Sequence, residues 1–294
     1  MIKVWDYIRE YDQLREEILK AVDDVFKNGT LIFGPKLEEF ETKFSNYHDT
    51  KYGIGVGNCT DAITIALKAF DVGVGDEVIT TSNTAVPTVT AIVNTGATVK
   101  FVDIDEYFLM DINKLEGAIT SKTKAIVPVH LYGQMCEMDK VMELAKKYKL
   151  KVIEDCAQAH GAEYKKKKVS SFGDIGTFSF FPSKNLGCFG DGGCVVTNNK
   201  KYYLKMKKIS NHGGLKKNSH LILGRNSRLD NIQAGILRIK LKELNRWILL
   251  RNRQAKIYHK HLYKIKKISF VKQLKNTKSS LHLMVIKTTN RNSL

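Results

Sequence analysis

Five short apolar runs between residues 52 and 155 alternate with helix-patterned stretches, and nothing else in the chain constrains its fold as strongly. The runs are YGIGV (52–56), EVIT (77–80), TVKFVDI (98–104), KAIVPV (124–129) and KVIED (151–155). Between them lie TDAITIALKAF, PTVTAIVNTG, INKLEGAI and MDKVMELAKKYK. Strands this short, separated by helices of about ten residues, predict an α/β fold with a parallel sheet wrapped by helices on both faces. Ligands bind such sheets at the carboxyl ends of the strands. Helical patterning also covers 8–27 and 36–47. Residues 161–181 read as a hairpin followed by a strand, with KKKK as its exposed turn, and 228–263 as a long amphipathic helix. Beyond Lys264 the pattern thins, and KISFV and LHLMVI are the remaining strand candidates.

At 294 residues and 43% apolar, the chain can form one large domain plus part of a second. The division expected is 1–235 for the large domain and 236–294 for the long helix and the start of a small one. No apolar run is long enough to span a membrane, and the charged N-terminus has no signal-peptide core. Five cysteines without CxxC spacing suit reduced thiols in the cytoplasm better than disulfides or a zinc site. The net charge of +18 is uneven, since residues 200–294 hold 25 Lys and Arg against Asp230 and Glu243 alone. Such a basic half invites a nucleic-acid reading. No basic motif interleaved with aromatics accompanies it, so a solvated lysine-rich surface is the simpler explanation.

The chemistry is concentrated in KVIEDCAQAHGAEYKKKKVSSFGDIGTFSFFPSKNLGCFGDGG (151–193). An apolar strand ends in Glu154 and Asp155, and Lys184 follows 29 residues after Asp155, between an aromatic strand and a glycine turn. A strand-end carboxylate and a lysine in a small-residue loop are what pyridoxal phosphate requires. The lysine forms the Schiff base, and the carboxylate keeps the pyridinium nitrogen protonated. Burial would lower the lysine pKa and favour imine chemistry near neutral pH. Gln158 lies three positions past Asp155, in reach of the phenolic oxygen of the ring, and Ser179 five before Lys184, in reach of the phosphate.

The turn VGNCTDAI (56–63) joins a strand to a helix and points free N–H groups at an anion. Cys59 and Thr60 are placed there for the phosphate; the competing reading is an ordinary helix cap by Asn58 or Thr60. In GRNSRLDNIQAGIL (224–237), Asn226 and Arg228 can each donate to phosphate or carboxylate, or the segment is a polar helix start with Asp230 near its first turn.

In that order, these motifs resemble the DegT/StrS-type sugar aminotransferases of the fold-type I pyridoxal phosphate enzymes. The likeness covers about residues 2–264 clearly and continues faintly to the end. It implies an aspartate-aminotransferase-like large domain with a mostly parallel mixed sheet, an incomplete small α/β domain, and a homodimer with shared sites. Lys184 would carry the cofactor and move the proton, Asp155 would pair with the ring nitrogen, and Gln158 would meet the phenolic oxygen. Thr60, Ser179 and the backbone at Cys59 would hold the phosphate, and Asn226 would reach the phosphate of the neighbouring subunit. An amino acid, usually glutamate, would supply the amine, and a nucleotide-linked keto-sugar would accept it, in amino-sugar and surface-polysaccharide (O-antigen) synthesis.

The stretch NTAVPTVTAI resembles the subgroup that aminates the 3-keto carbon of dTDP-3-keto-6-deoxyhexoses; many relatives carry an aromatic near Ala85, where the residues here are small. Cys59 stands where most relatives have glycine, a change expected to be tolerated. Relatives run well beyond HLMVIKTTNRNSL, so the final strands would lack partners and a chain ending there would be less stable and turn over weakly. Related sugar dehydratases carry histidine in place of the lysine, so Lys184 argues against dehydration. The rival from another class is an inactive relic or a regulatory basic binding protein.

Overall fold

The computed structural model describes residues 6–216 and 218–293. Two helices, α1 (Ile8–Lys27) and α2 (Pro35–Tyr47), lead into the alternating region. There β1 (Tyr52–Val56), α3 (Cys59–Ala69), β2 (Glu77–Thr81), α4 (Val86–Val93), β3 (Thr98–Val102), the short α5 (Ile112–Leu115), β4 (Thr123–Val127), α6 (Met138–Lys147) and β5 (Lys151–Asp155) follow the expected order. A hairpin of β6 (Glu163–Tyr164) and β7 (Lys167–Lys168) precedes β8 (Ile175–Ser179), β9 (Gly193–Thr197), α7 (Lys200–Ser210) and α8 (Asn231–Leu262). The chain then forms β10 (Ile268–Phe270), β11 (Thr277–Lys278) and β12 (Ile286–Thr288).

The main sheet has seven strands in the order β1-β9-β8-β5-β4-β2-β3. All its pairings are parallel except the two made by β9. It is thus the mostly parallel mixed sheet expected. Each face carries its own core. Phe40, Phe44, Val141, Val152, Phe178 and Leu237 fill the side covered by α2, α6 and α8. Ile65, Ile92, Ile153, Ile175, Val195 and Ile209 fill the side covered by α3, α4 and α7. Phe44 meets Phe178 and Phe180 edge-on at centroid distances of 4.9 and 5.1 Å. Each such buried ring contributes about 1.5–3 kcal/mol by leaving water.

Three elements, β9, β11 and α7, went unread in the sequence. The β9 strand is five buried residues, and its continuous apolar run has no alternation to mark it. The α7 helix is dominated by lysines, with a cap at Asn199 that accepts from Lys201 and Tyr202. The KKKK hairpin is as expected, with Lys165 and Lys166 at φ of 48° and 65°. Both signs fit a type I′ turn, at about 1–2 kcal/mol of strain per residue for lysine.

Two expectations need correcting at the end of the chain. The segment LHLMVI is not a strand, since β12 begins only at Ile286. Nor do the final strands lack partners: β10 pairs antiparallel with β12, and β11 adds to β6. Local pairing is the reason, because a two-stranded ribbon satisfies part of each edge without further chain.

All five cysteines are free and buried. We expect a thiol-specific reagent to leave the native protein unlabelled and to modify all five once it is unfolded. Fast labelling of a cysteine in the folded chain would contradict the packing.

Candidate active site

Strand β5 ends in two adjacent carboxylates, and the period-two alternation of a strand sends them to opposite faces. Glu154 shares the face of Val152 and is fully buried. Its carboxylate accepts from the backbone N–H groups of Ser170 (2.9 Å), Phe172 (3.0 Å) and Gly173 (2.7 Å). His130 Nε2 lies 2.9 Å from the same carboxylate. The other ring nitrogen accepts from Cys136 N at 3.2 Å, so the proton of the imidazole sits on Nε2 and points at Glu154. Glu154 is therefore a structural hub. Asp155 faces the α3 and α4 side and is 4% exposed. It accepts from Thr88 Oγ1 at 2.8 Å and from Ala157 N at 3.1 Å.

The α3 helix starts directly after β1. Asn58 is its cap, accepting from Asp61 N at 2.8 Å, which settles the question of which residue caps it. Cys59 is the first helical residue and buried; Thr60 is half-buried beside it. The Cys59 backbone lies outside the left-handed region, so a side chain there costs no backbone strain. Burial pushes its thiol well up, and Asp155 nearby adds to this, so it stays protonated. Gly193 packs against this turn so closely that a Cβ on it would lie 2.6 Å from the Asn58 carbonyl carbon. Ser179 is the ladder partner of Gly193, so the β8–β9 pair delivers it to the α3 N-terminus.

The segment after α7 closes the same turn. Ser227 Oγ accepts from Gly57 N at 3.0 Å, and Arg225 pairs with Asp61 at 2.7 Å. Asn226 lies between them, bridges to Asn211 and is exposed. Arg228 sits over the Phe33 ring at 5.7 Å. Asp230 immediately precedes α8.

Lys184 follows β8 in a loop whose first turn is closed by its N–H donating to Phe181 O at 2.9 Å. Burial pulls its ammonium below the usual lysine range, partly offset by the Asp155 carboxylate. Lys184, Asp155 and Cys59 thus come together from three separate elements. Gln158 accepts from Tyr132 N at 2.8 Å, which fixes its amide and leaves its NH₂ group to donate. Tyr132 pays for that position with a left-handed φ of 60°. Thr88, Tyr132, Asn185 and His282 went unread in the sequence. Thr88 lies inside the NTAVPTVTAI stretch, but only the sheet shows that it meets Asp155.

Whether these residues suit pyridoxal phosphate turns on the cradle at α3. A phosphate needs free N–H groups and room for close approach, and the unsubstituted Gly57 and Gly193 flank the helix start. A buried carboxylate and an amine held below its usual pKa lie on the same side. The fit is good. Sheet and site together define an aspartate-aminotransferase-like enzyme whose cofactor is pyridoxal phosphate. When bound, that group supplies the electron sink for moving an amine between carbon skeletons.

The profile of the DegT/DnrJ/EryC1/StrS aminotransferase family matches residues 12–293. A Geobacillus stearothermophilus protein named pleiotropic regulatory protein is 46% identical over 258 residues, 87% of this chain and 69% of that protein. The dTDP-3-amino-3,4,6-trideoxy-alpha-D-glucose transaminase of Micromonospora megalomicea subsp. nigra is 46% identical, with the same coverage of 87% and 69%. The structure of S. venezuelae DesV in complex with a ketimine intermediate superposes with a TM-score of 0.96 at 39% identity, covering 98% of this chain and 78% of that one. The chain belongs to the DegT/DnrJ/EryC1/StrS family and is an aminotransferase.

Proposed function

We propose that the enzyme transfers an amino group from an amino acid, L-glutamate in our reading, to a nucleotide-linked keto-6-deoxyhexose. The observation that carries this is the 46% identity to a transaminase named for a dTDP-3-amino sugar. Transaminases named for dTDP-3-amino sugars of Streptomyces venezuelae and Aneurinibacillus thermoaerophilus, at 39% and 44% identity, point to the 3-position. The small residues around Ala85 agree with it. Amino-sugar synthesis for a surface polysaccharide is the setting we infer.

In this proposal Asp155 holds a proton at the ring nitrogen, and Gln158 NH₂ donates to the phenolic oxygen. Thr60, Ser179 and the backbone of Cys59 take the phosphate. Lys184 would hold the cofactor and act as the general base and acid for the proton at the substrate carbon that loses or gains nitrogen. Asn226 is exposed within the segment that closes the phosphate turn, which suits a role toward a second subunit in a homodimer.

The test is product analysis with glutamate and dTDP-3-keto-6-deoxy-glucose or -galactose. We expect an amino sugar and 2-oxoglutarate in equal amounts. Absence of transfer to any nucleotide keto-sugar, by a chain that binds the cofactor, would sink the assignment. A regulatory role is the second reading, resting on the name of the Geobacillus relative and the basic residues 200–294. Salt-dependent binding to duplex DNA would favour it.

A further inference from the structure

Beyond α8 the chain returns to the large sheet and lies against the site. Ser280 N donates to Gly133 O and His282 N to Tyr132 O, both at 2.9 Å. Ser279 Oγ donates to Gly133 O at 3.0 Å. From α8, Asn252 and Arg251 hold the carbonyls of Ser279 and His282 at 3.1 and 3.2 Å. Ser279, Ser280 and His282 are buried. Gly133 makes this approach possible: at φ 96°, a Cβ on it would lie 2.6 Å from Leu281 N and 2.8 Å from His282 N.

This strap touches Gln158 and the neighbour of Lys184. Ser280 Oγ donates to the Gln158 carbonyl at 3.4 Å. Asn185, the neighbour of Lys184, donates its Nδ2 to Ser280 O at 2.7 Å. A carbonyl only accepts, so the orientation of the Asn185 amide is settled and its Oδ1 faces His282 Nδ1, 3.2 Å away. That oxygen also only accepts, so His282 carries its proton on Nδ1 and leaves Nε2 with a free lone pair. Burial, together with the positive charges of Lys184 in its loop and Arg251 on α8, pushes the His282 pKa down to about 3. His160, in the turn after β5, also faces it and is itself held neutral by burial. His282 is thus an uncharged ring at working pH.

We propose that His282 is a positioning residue for Lys184: the strap fixes the lysine loop through Asn185, and the imidazole bonded to that amide keeps an acceptor nitrogen free next to the loop. The inference rests on the aminotransferase reading for its purpose, but its test does not need the cofactor. In the cofactor-free chain, competitive acetylation across an alkaline pH series, read by mass spectrometry, reports the titration of Lys184 against exposed lysines.

A polar acceptor favours the ammonium, so His282→Phe should lower the Lys184 pKa by about one unit, a tenfold gain in reactivity at fixed pH. His282→Gln keeps a donor for Asn185 and an acceptor, and should titrate like the wild type. Asn185→Ala cuts the link to the strap and should shift Lys184 the same way as His282→Phe, which covers the case where the phenylalanine variant does not fold. Unchanged Lys184 titration in folded His282→Phe or Asn185→Ala would overturn the proposal, as would a His282→Gln shift equal to that of phenylalanine. Failure of the wild type to bind pyridoxal phosphate would instead overturn the proposed function and leave this result standing.

Discussion

Lys184→Ala will remove the near-visible absorbance that the wild-type chain gains with pyridoxal phosphate, and its turnover will fall at least about ten-thousandfold. The effect is this large because one amine has two tasks, covalent attachment and proton transfer. The chain is rich in lysines, but burial lowers the pKa of Lys184 beside Asp155 and Cys59. Lys240 is the deeper of the two, at 1% exposure, yet its ammonium is taken by Glu10 and by the Gly187 carbonyl. An absorbance titration and a steady-state assay check the point. A band that survives in Lys184→Ala would move the attachment to another lysine.

Glu154→Ala will destabilise the fold by about 3–5 kcal/mol, because four donors, two of them buried, lose a fully buried acceptor together. Those donors are the N–H groups of Ser170, Phe172 and Gly173 and the His130 ring. The loop that holds Ser170, Phe172 and Gly173 links the β6–β7 hairpin to β8, so its loosening would reach the strand that delivers Ser179. Urea denaturation followed by circular dichroism measures the loss. Glu154→Gln, which keeps one acceptor oxygen, should fall between alanine and wild type. Asp155→Ala should show the opposite balance, with a smaller stability loss and nearly complete loss of catalysis. A Glu154→Ala change under about 1 kcal/mol would mean that water replaces the carboxylate.

Much of the fold could be read from residues 52–155, where strands and helices alternate with the period of each plain in the apolar residues. The order of these candidate residues was readable for the same reason: Asp155 closes β5, and Cys59 and Thr60 open the helix that follows β1. What stayed hidden depends on contacts between distant segments. Thr88 meets Asp155 across 67 positions, and Asn185 meets His282 across 97. Neither pair has a local signature. β9 was missed because a fully buried strand has no alternation, and the pairing of β10 with β12 because short ribbons depend on tertiary approach rather than propensity.

The two carboxylates at the end of β5 make the pairing of that strand a matter of chemical identity. Ile153 aligns with Ile175, and Asp155 with Thr177. Because side chains alternate, a slip of one residue would turn Asp155 toward the loop at 170–173 and Glu154 toward Thr88. Such a chain would keep most of its secondary structure while placing a longer acid beneath the cofactor and a shorter one beneath the loop. The alignment that closes the hydrogen bonds to Glu154 is thus the same one that aims Asp155.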